Sequence, residues 1–266
     1  MYLNRAFKYG DGLFETIRVR NGEVLFLESH FTRLSRGLTI LHMQDSKKPL
    51  SIEKFQEILQ DFLSKQSDAN LRIRITFFRQ GDGLYTPKES SYAYYIESST
   101  LESPSFALNE KGLYLGRCSA VQLPIDQLSN LKTTSALPYV LAALEKKEKG
   151  WEDCFILNSA GAIAESIAAN VFLCKGKQVF TPALNQGCIA GVMRQNVLEL
   201  IQELDLEPCE GVVLWEDVQQ ADEIWLSNAI RGIQWVKQVV GCSTLFENSK
   251  AKQVINRLNQ RIKPKY

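Results

Sequence analysis

The polar stretch 98–111, with Pro104 inside it, parts two lengths of chain whose hydrophobic patterns differ, and it limits the fold more than any other feature. Ahead of it, strand-type runs alternate with long amphipathic segments; behind it, short strands crowd together. This pattern predicts two α/β domains: a small one over 1–105 and a larger, sheet-rich one over 112–266, linked by about 98–111. A chain of 266 residues can fill both cores without disulfides, since at this size roughly three quarters of the unfolded surface is buried.

Local signals fill in the first domain. Leu13 to Arg20 and Glu23 to Leu27 flank Asn21-Gly22, the strongest short hairpin signal. Phe31, Leu34, Leu38 and Leu41 recur at helical spacing between Glu28 and about Met43. A second helix over Ser51 to about Gln66 sets Ile52, Phe55, Leu59 and Phe62 on one face, with Ser51 as N-cap. Leu71 to Arg79 and Ser91 to Glu97 read as strands around Gly81-Asp82-Gly83. Past the linker the pattern predicts a strand over Gly112 to Cys118 and a helix over Ser135 to Lys149, with Pro138 in its first turn and Gly150 as its stop. Strands follow at Asp153 to Leu157, Ala169 to Cys174 and Gln178 to Thr181, then amphipathic helices over Val192 to Leu206 and Ala251 to Ile262.

Composition removes several functional classes. With 31 Lys+Arg against 30 Asp+Glu the net charge is +1, without the basic excess that drives nucleic-acid binding, so no nucleic-acid partner is expected. Six scattered cysteines with no CxxC pair, and nothing resembling a secretory signal peptide, predict a cytoplasmic protein. Two histidines, His30 and His42, cannot build a His-rich metal site, and no metal is expected. No uncharged apolar run approaches the roughly 18 residues of a membrane span.

Four places carry residues suited to chemistry. Lys132, in Ser129-Asn-Leu-Lys-Thr-Thr-Ser135, stands just before a helix start, where a lysine gains nothing from the helix dipole; it is either a solvated surface group or a lysine poised for Schiff-base chemistry. Gly187 to Arg194 runs straight into a helix, which makes it either a plain helix entry or an anion cradle of backbone N–H groups. Glu165, in an apolar stretch, is either an ordinary strand-edge carboxylate or one placed opposite a cation. Arg33, on the first long helix, either clamps an anion or is a solvated helical charge.

Taken in order, Tyr9-Gly-Asp-Gly-Leu-Phe-Glu-Thr-Ile-Arg18, Glu28-Ser-His-Phe-Thr-Arg33-Leu, Leu131-Lys132, Ala164-Glu-Ser-Ile-Ala-Ala-Asn170-Val-Phe, Thr181-Pro182, Gly191-Val-Met-Arg194 and Ala221-Asp-Glu-Ile-Trp-Leu-Ser-Asn228-Ala are similar to the motifs of the fold-type IV pyridoxal-phosphate enzymes, the class IV aminotransferase family. The resemblance spans nearly the whole chain. It implies an enzyme of two α/β domains with the active site in the cleft between them, working as a homodimer on a small-molecule amino substrate, with pyridoxal 5'-phosphate as cofactor. It implies that Lys132 takes up the cofactor's aldehyde and shuttles the proton, and that Glu165 pairs with the pyridine nitrogen. By the same resemblance Arg33, the Val192 and Met193 amides and Asn228 hold the phosphate.

Within the family, Leu137 stands five residues after Lys132, where branched-chain aminotransferases carry a tyrosine against the cofactor hydroxyl. Ala168 to Phe172, Gly191 to Gln195 and Ser227 to Ala229 look closest to 4-amino-4-deoxychorismate lyase, an enzyme of folate biosynthesis. Arg79-Gln-Gly-Asp-Gly-Leu-Tyr85 is similar to the substrate loop of these lyases, which implies substrate contacts at Arg79 and Tyr85, although Leu84 replaces the loop's second arginine and Ser135 stands where the lyases often carry asparagine. The family's usual first strands ahead of Asn4 have no counterpart in the sequence, which implies either an exposed sheet edge in the small domain or a start codon assigned too late. The expected activity is therefore conversion of 4-amino-4-deoxychorismate to 4-aminobenzoate and pyruvate; the alternatives are an aminotransferase of small amino acids and a cofactor-binding protein without turnover.

Overall fold

A computed structural model describes residues 4–44 and 49–262. The chain forms two compact units, Met1–Pro104 with Leu131–Ala136, and Ser105–Asn130 with Leu137–Tyr266. The first unit opens with a short helix α1 (Arg5–Tyr9), followed by β1 (Gly12–Arg20), β2 (Glu23–Val24), α2 (Leu27–Ile40), α3 (Ile52–Leu63), β3 (Leu71–Arg79) and β4 (Tyr92–Thr100). Its four strands pair antiparallel in the order β2-β1-β3-β4. Asn21 and Gly22 both adopt positive φ, 50° and 80°, the backbone that a two-residue hairpin turn demands.

The period-2 alternation of β3 puts Leu71, Ile73, Ile75 and Phe77 on one face, where Phe55 and Leu59 of α3 and Leu34 and Leu38 of α2 cover them. Complete burial of a side chain such as Phe55 contributes roughly 1.5–3 kcal/mol. Ser51 caps α3 by accepting from the Lys54 amide at 3.2 Å. Two expectations change here. The second hairpin strand ends at Val24, because Phe26 turns the chain into α2 with a positive φ of 56°. Ser98 to Thr100 belong to β4 and pair with Ile73, Arg72 and Leu71, so the first residues assigned to the linker are edge strand.

The second unit contains β5 (Leu113–Arg117), α4 (Leu137–Lys149), β6 (Asp153–Leu157), β7 (Ile163–Ser166), β8 (Asn170–Lys175), β9 (Gln178–Pro182), α5 (Val192–Glu203), β10 (Glu207–Gly211), α6 (Trp215–Gln220), β11 (Glu223–Asn228), β12 (Gly232–Val239) and α7 (Ser249–Arg261). Its eight strands form one mixed sheet, β10-β9-β8-β11-β12-β5-β6-β7. Leu115, Phe155, Leu173, Ile224 and Val236 form its main core, and Cys118, Ala142, Cys154 and Ile156 a second cluster under α4. The buried carboxylate of Glu223 accepts from the Lys250 and Ala251 amides at 2.8 and 3.0 Å and so caps α7 from the neighbouring strand.

Leu131–Ala136 was expected in the second domain with the rest of 112–266, but it completes the first unit. Phe14 donates its amide to the Lys132 carbonyl at 2.9 Å, Thr134 donates its amide to Gly12 at 2.9 Å, and Leu131 joins the first unit's core. Among the described residues, no helix is long and apolar enough to cross a membrane.

Candidate active site

In the first unit, the strap 131–136 lies along the start of β1 and carries Lys132 to one face of the sheet. The Lys132 Nζ sits 4.5 Å from the centroid of the Phe14 ring, and the Arg74 guanidinium lies 3.6 Å from the same centroid. One residue along β1, alternation turns Glu15 to the opposite face, toward α2. There Arg33 donates through Nε to Oε1 at 2.8 Å and through Nη2 to Oε2 at 2.5 Å, and His30 Nδ1 lies 2.7 Å from Oε2. Burial alone would raise the Glu15 carboxyl, but the Arg33 charge and the bonds from Arg33 and His30 outweigh it and hold the group at about 2. For His30, burial is the main force lowering its value, the charges of Arg33 and Lys132 add to it, and Glu15 opposes them. The ring therefore stays neutral and donates through Nδ1; its Nε2 is buried with no hydrogen-bond partner among the described residues.

Of the two residues assigned to substrate, Arg79 closes β3 and Tyr85 lies midway along the loop that leads to β4. The Arg79 guanidinium is buried and makes four bonds inside the unit, two to Asp11 and one each to the Leu41 and His42 carbonyls. Such a guanidinium ties β3 to the end of α2 and orients Asp11. Asp11 in turn holds Arg5, which donates to the Gly83 and Leu84 carbonyls at 3.0 and 2.7 Å. Tyr85 is 89% exposed, its ring 5.6 Å from that of Tyr9.

In the second unit, β7 places the buried Glu165 among donors from three directions. Tyr139 of α4 donates its hydroxyl to Oε1 at 2.6 Å, while Oε2 accepts from the Ile189 amide at 3.1 Å and from Asn170 Nδ2 at 3.5 Å. Asn170 also donates to the Ile189 carbonyl at 2.9 Å, and Asn130 Nδ2 donates to the Leu184 and Cys188 carbonyls, both at 2.8 Å. These bonds shape the loop that leads into α5. Burial pushes the Tyr139 phenol well above its usual range, and the Glu165 charge pushes it further, so it remains a donor.

The N-cap of α5 is Gly191, with no side chain to satisfy the helix's first amides, and Val192 and Met193 open the helix buried. A Cβ on Gly191 would lie 1.9 Å from Asn170 Oδ1, so only glycine lets the loop pass this close. Because Asn170 is itself pinned, Gly191→Ala is expected to cost on the order of 1–3 kcal/mol. Thermal unfolding checks this: a drop of several degrees is expected, and an unchanged midpoint would mean that Asn170 swings aside.

At the end of β11, Asn228 Oδ1 accepts from the Ile230 and Arg231 amides at 3.1 and 2.9 Å, and its Nδ2 donates to the Ala168 carbonyl at 3.2 Å. Its side chain thus shapes the turn 228–231. The hydroxyl of neighbouring Ser227 is buried without a hydrogen-bond partner among the described residues. Within the second unit, the orphan hydroxyl and the uncapped helix amides suit a phosphate and the anchored carboxylate suits a basic ring nitrogen; within the first, Lys132 is an amine suited to a carbonyl and Arg33 a guanidinium suited to an anion. The sequence motifs contain Glu15, His30 and Ser227 without giving any of them a role, and Tyr139 lies outside those motifs.

The fold is that of the fold-type IV pyridoxal-phosphate enzymes. Residues 12–239 match the amino-transferase class IV family, and the chain belongs to it. Among its relatives, an aminodeoxychorismate lyase of Vibrio harveyi is 29% identical over 234 residues, 86% of this chain and 83% of that protein. A branched-chain-amino-acid aminotransferase of Escherichia coli is 26% identical over 257 residues, 90% and 79% of the two chains. The solved structure of a 4-amino-4-deoxychorismate lyase from Pseudomonas aeruginosa superposes with a TM-score of 0.81 at 26% identity, covering 97% of this chain and 94% of that one. Pyridoxal 5'-phosphate is the cofactor of the family.

Proposed function

We propose that this chain converts 4-amino-4-deoxychorismate to 4-aminobenzoate and pyruvate, a step of folate synthesis, as a cytoplasmic homodimer. The observation that carries the lyase reading is at position 137. The first turn of α4 presents an apolar Leu137, 72% exposed, where the branched-chain enzymes carry a tyrosine against the cofactor. The likeness to the Vibrio lyase over 86% of the chain supports the same reading.

In this reading Lys132 Nζ would hold the cofactor's aldehyde until the substrate's own amine takes its place there, and the lysine amine so released would accept the proton from the amine-bearing carbon of the substrate. Glu165 pairs with the ring nitrogen. Arg33, the Val192 and Met193 amides and Asn228 hold the phosphate, with the hydroxyl of Ser227, next to Asn228 on β11, as a further donor. Arg79, through Asp11 and Arg5, orients the loop that carries Tyr85, which faces substrate. When bound, the cofactor supplies an electron sink for the carbon that loses the proton. Departure of pyruvate then leaves an aromatic ring, which drives the reaction forward.

Purified protein loaded with pyridoxal phosphate is expected to release pyruvate and 4-aminobenzoate in equal amounts from aminodeoxychorismate. Borohydride is expected to fix the cofactor on Lys132; a label on another lysine would overturn the site. If no pyruvate appears and nitrogen passes from an amino acid to 2-oxoglutarate, the aminotransferase reading replaces the lyase. The 26% identity to the Escherichia coli aminotransferase favours that second reading. Sedimentation of the purified protein tests the homodimer.

A further inference from the structure

We propose that Tyr139 is a positioning residue for Glu165: from the first turn of α4 its phenol O–H fixes the carboxylate and strengthens its preference for a protonated ring nitrogen on the cofactor. This rests on the reading above that Glu165 faces that nitrogen.

At 2.6 Å, the bond from Tyr139 Oη to Glu165 Oε1 lies in the range of short, charge-assisted O–H···O⁻ bonds. The tyrosine ring packs against the apolar cluster of Cys118, Leu123, Ala142, Cys154 and Ile156, so its hydroxyl is aimed by packing and has little rotamer freedom to lose. Tyr139 is also the one hydroxyl in the opening turn Leu137-Pro-Tyr-Val140, two residues beyond Leu137. The hydroxyl of α4 is thus directed at the carboxylate that meets the ring nitrogen.

The chemical consequence follows from competition for one proton. A ring nitrogen and a carboxylate in contact share a proton, and burial of Glu165 by itself favours the neutral acid, with the nitrogen unprotonated. Each donor to the carboxylate stabilises its ionised form and leaves the proton on the nitrogen. The amide of Ile189 and the side chain of Asn170 supply two weaker, longer bonds to Oε2. Tyr139 serves Oε1, and its bond is the shortest of these three.

The test uses the holoenzyme loaded with pyridoxal phosphate labelled with nitrogen-15 in the ring. Tyr139→Phe removes one oxygen and keeps the packed ring. Its ring-nitrogen resonance is expected to move toward the neutral-pyridine value, and kcat to fall about tenfold, the equivalent of one pKa unit, with KM within about twofold. A stronger donor, 3-fluorotyrosine at position 139, keeps the shape and is expected to move the resonance the opposite way; it also serves should the phenylalanine variant fail to fold. A purely structural tyrosine would change the melting temperature and leave the resonance in place. If Glu165→Gln moves the resonance and neither Tyr139 variant does, this inference is overturned and the cofactor reading stands. If Glu165→Gln leaves it unmoved, or borohydride labels a lysine other than Lys132, both fall.

Discussion

Lys132→Ala is expected to fold normally and to lose turnover by roughly 10,000-fold or more, the combined loss of a covalent attachment point and of a general base. The fold survives because the strap that carries Lys132 is held by its backbone: Phe14 donates to the Lys132 carbonyl, and Thr134 donates its amide to the Gly12 carbonyl and its hydroxyl to the Gly10 carbonyl. Alanine keeps all of these bonds. Among what disappears is the ammonium over the Phe14 ring, a contact worth about 0.5–1 kcal/mol at a partly exposed site. Circular dichroism and thermal unfolding are therefore expected to match the native protein within a few degrees. Under the proposed phosphate anchoring by Arg33 and the α5 amides, the variant still retains some cofactor without a covalent link, and borohydride labelling vanishes. Measurable turnover near the native rate would remove Lys132 from the chemistry altogether.

Much of this was readable in the residues, and the omissions have physical causes. The hairpin at Asn21-Gly22 and the strand 71–79 were legible because turn chemistry and period-2 burial are local properties. The strand β4 ran past its expected end because it is an edge strand: with its polar residues exposed, Ser98 to Thr100 carry no alternation. Strand β10, with Pro208 and Gly211, violates the usual strand composition and exists because its backbone pairs in parallel with β9. Strap 131–136 has no periodicity at all and is ordered by β1, more than a hundred residues earlier. The site divides the same way. Lys132, Arg33 and Glu165 stood out through the ordered motifs. The bonds Glu15–His30, Glu15–Arg33 and Tyr139–Glu165 depend on how a strand registers against a helix, which no residue spacing encodes.

Glu15→Gln tests the most buried of these charge contacts, and a loss of about 3–5 kcal/mol at pH 7 is expected, because Arg33 keeps its charge in a buried position after its partner's charge is gone. The amide cannot reproduce the pair: one of its ends is an N–H donor, facing either the Arg33 guanidinium or the His30 Nδ1–H. Acid separates this electrostatic loss from a packing loss. The Glu15 carboxyl is held at about 2 in the folded protein, against an ordinary value of 4.5, so its contribution, on the order of 3 kcal/mol, is complete above pH 4.5 and is lost as the pH falls toward 2. The native protein therefore loses stability through that window by a term that glutamine lacks. Urea unfolding at pH 7, 5, 4 and 3 is expected to give a difference between the two proteins that is constant down to about pH 5 and narrows below it. A gap of the same size at every pH would assign the loss to the shape of the side chain and leave the charge pair without a net role. The same variant reaches the proposed site through Arg33. Once Glu15 no longer fixes Nε and Nη2, the guanidinium can turn, and retention of pyridoxal phosphate is expected to weaken while binding of pyridoxal, which has no phosphate to lose, stays the same.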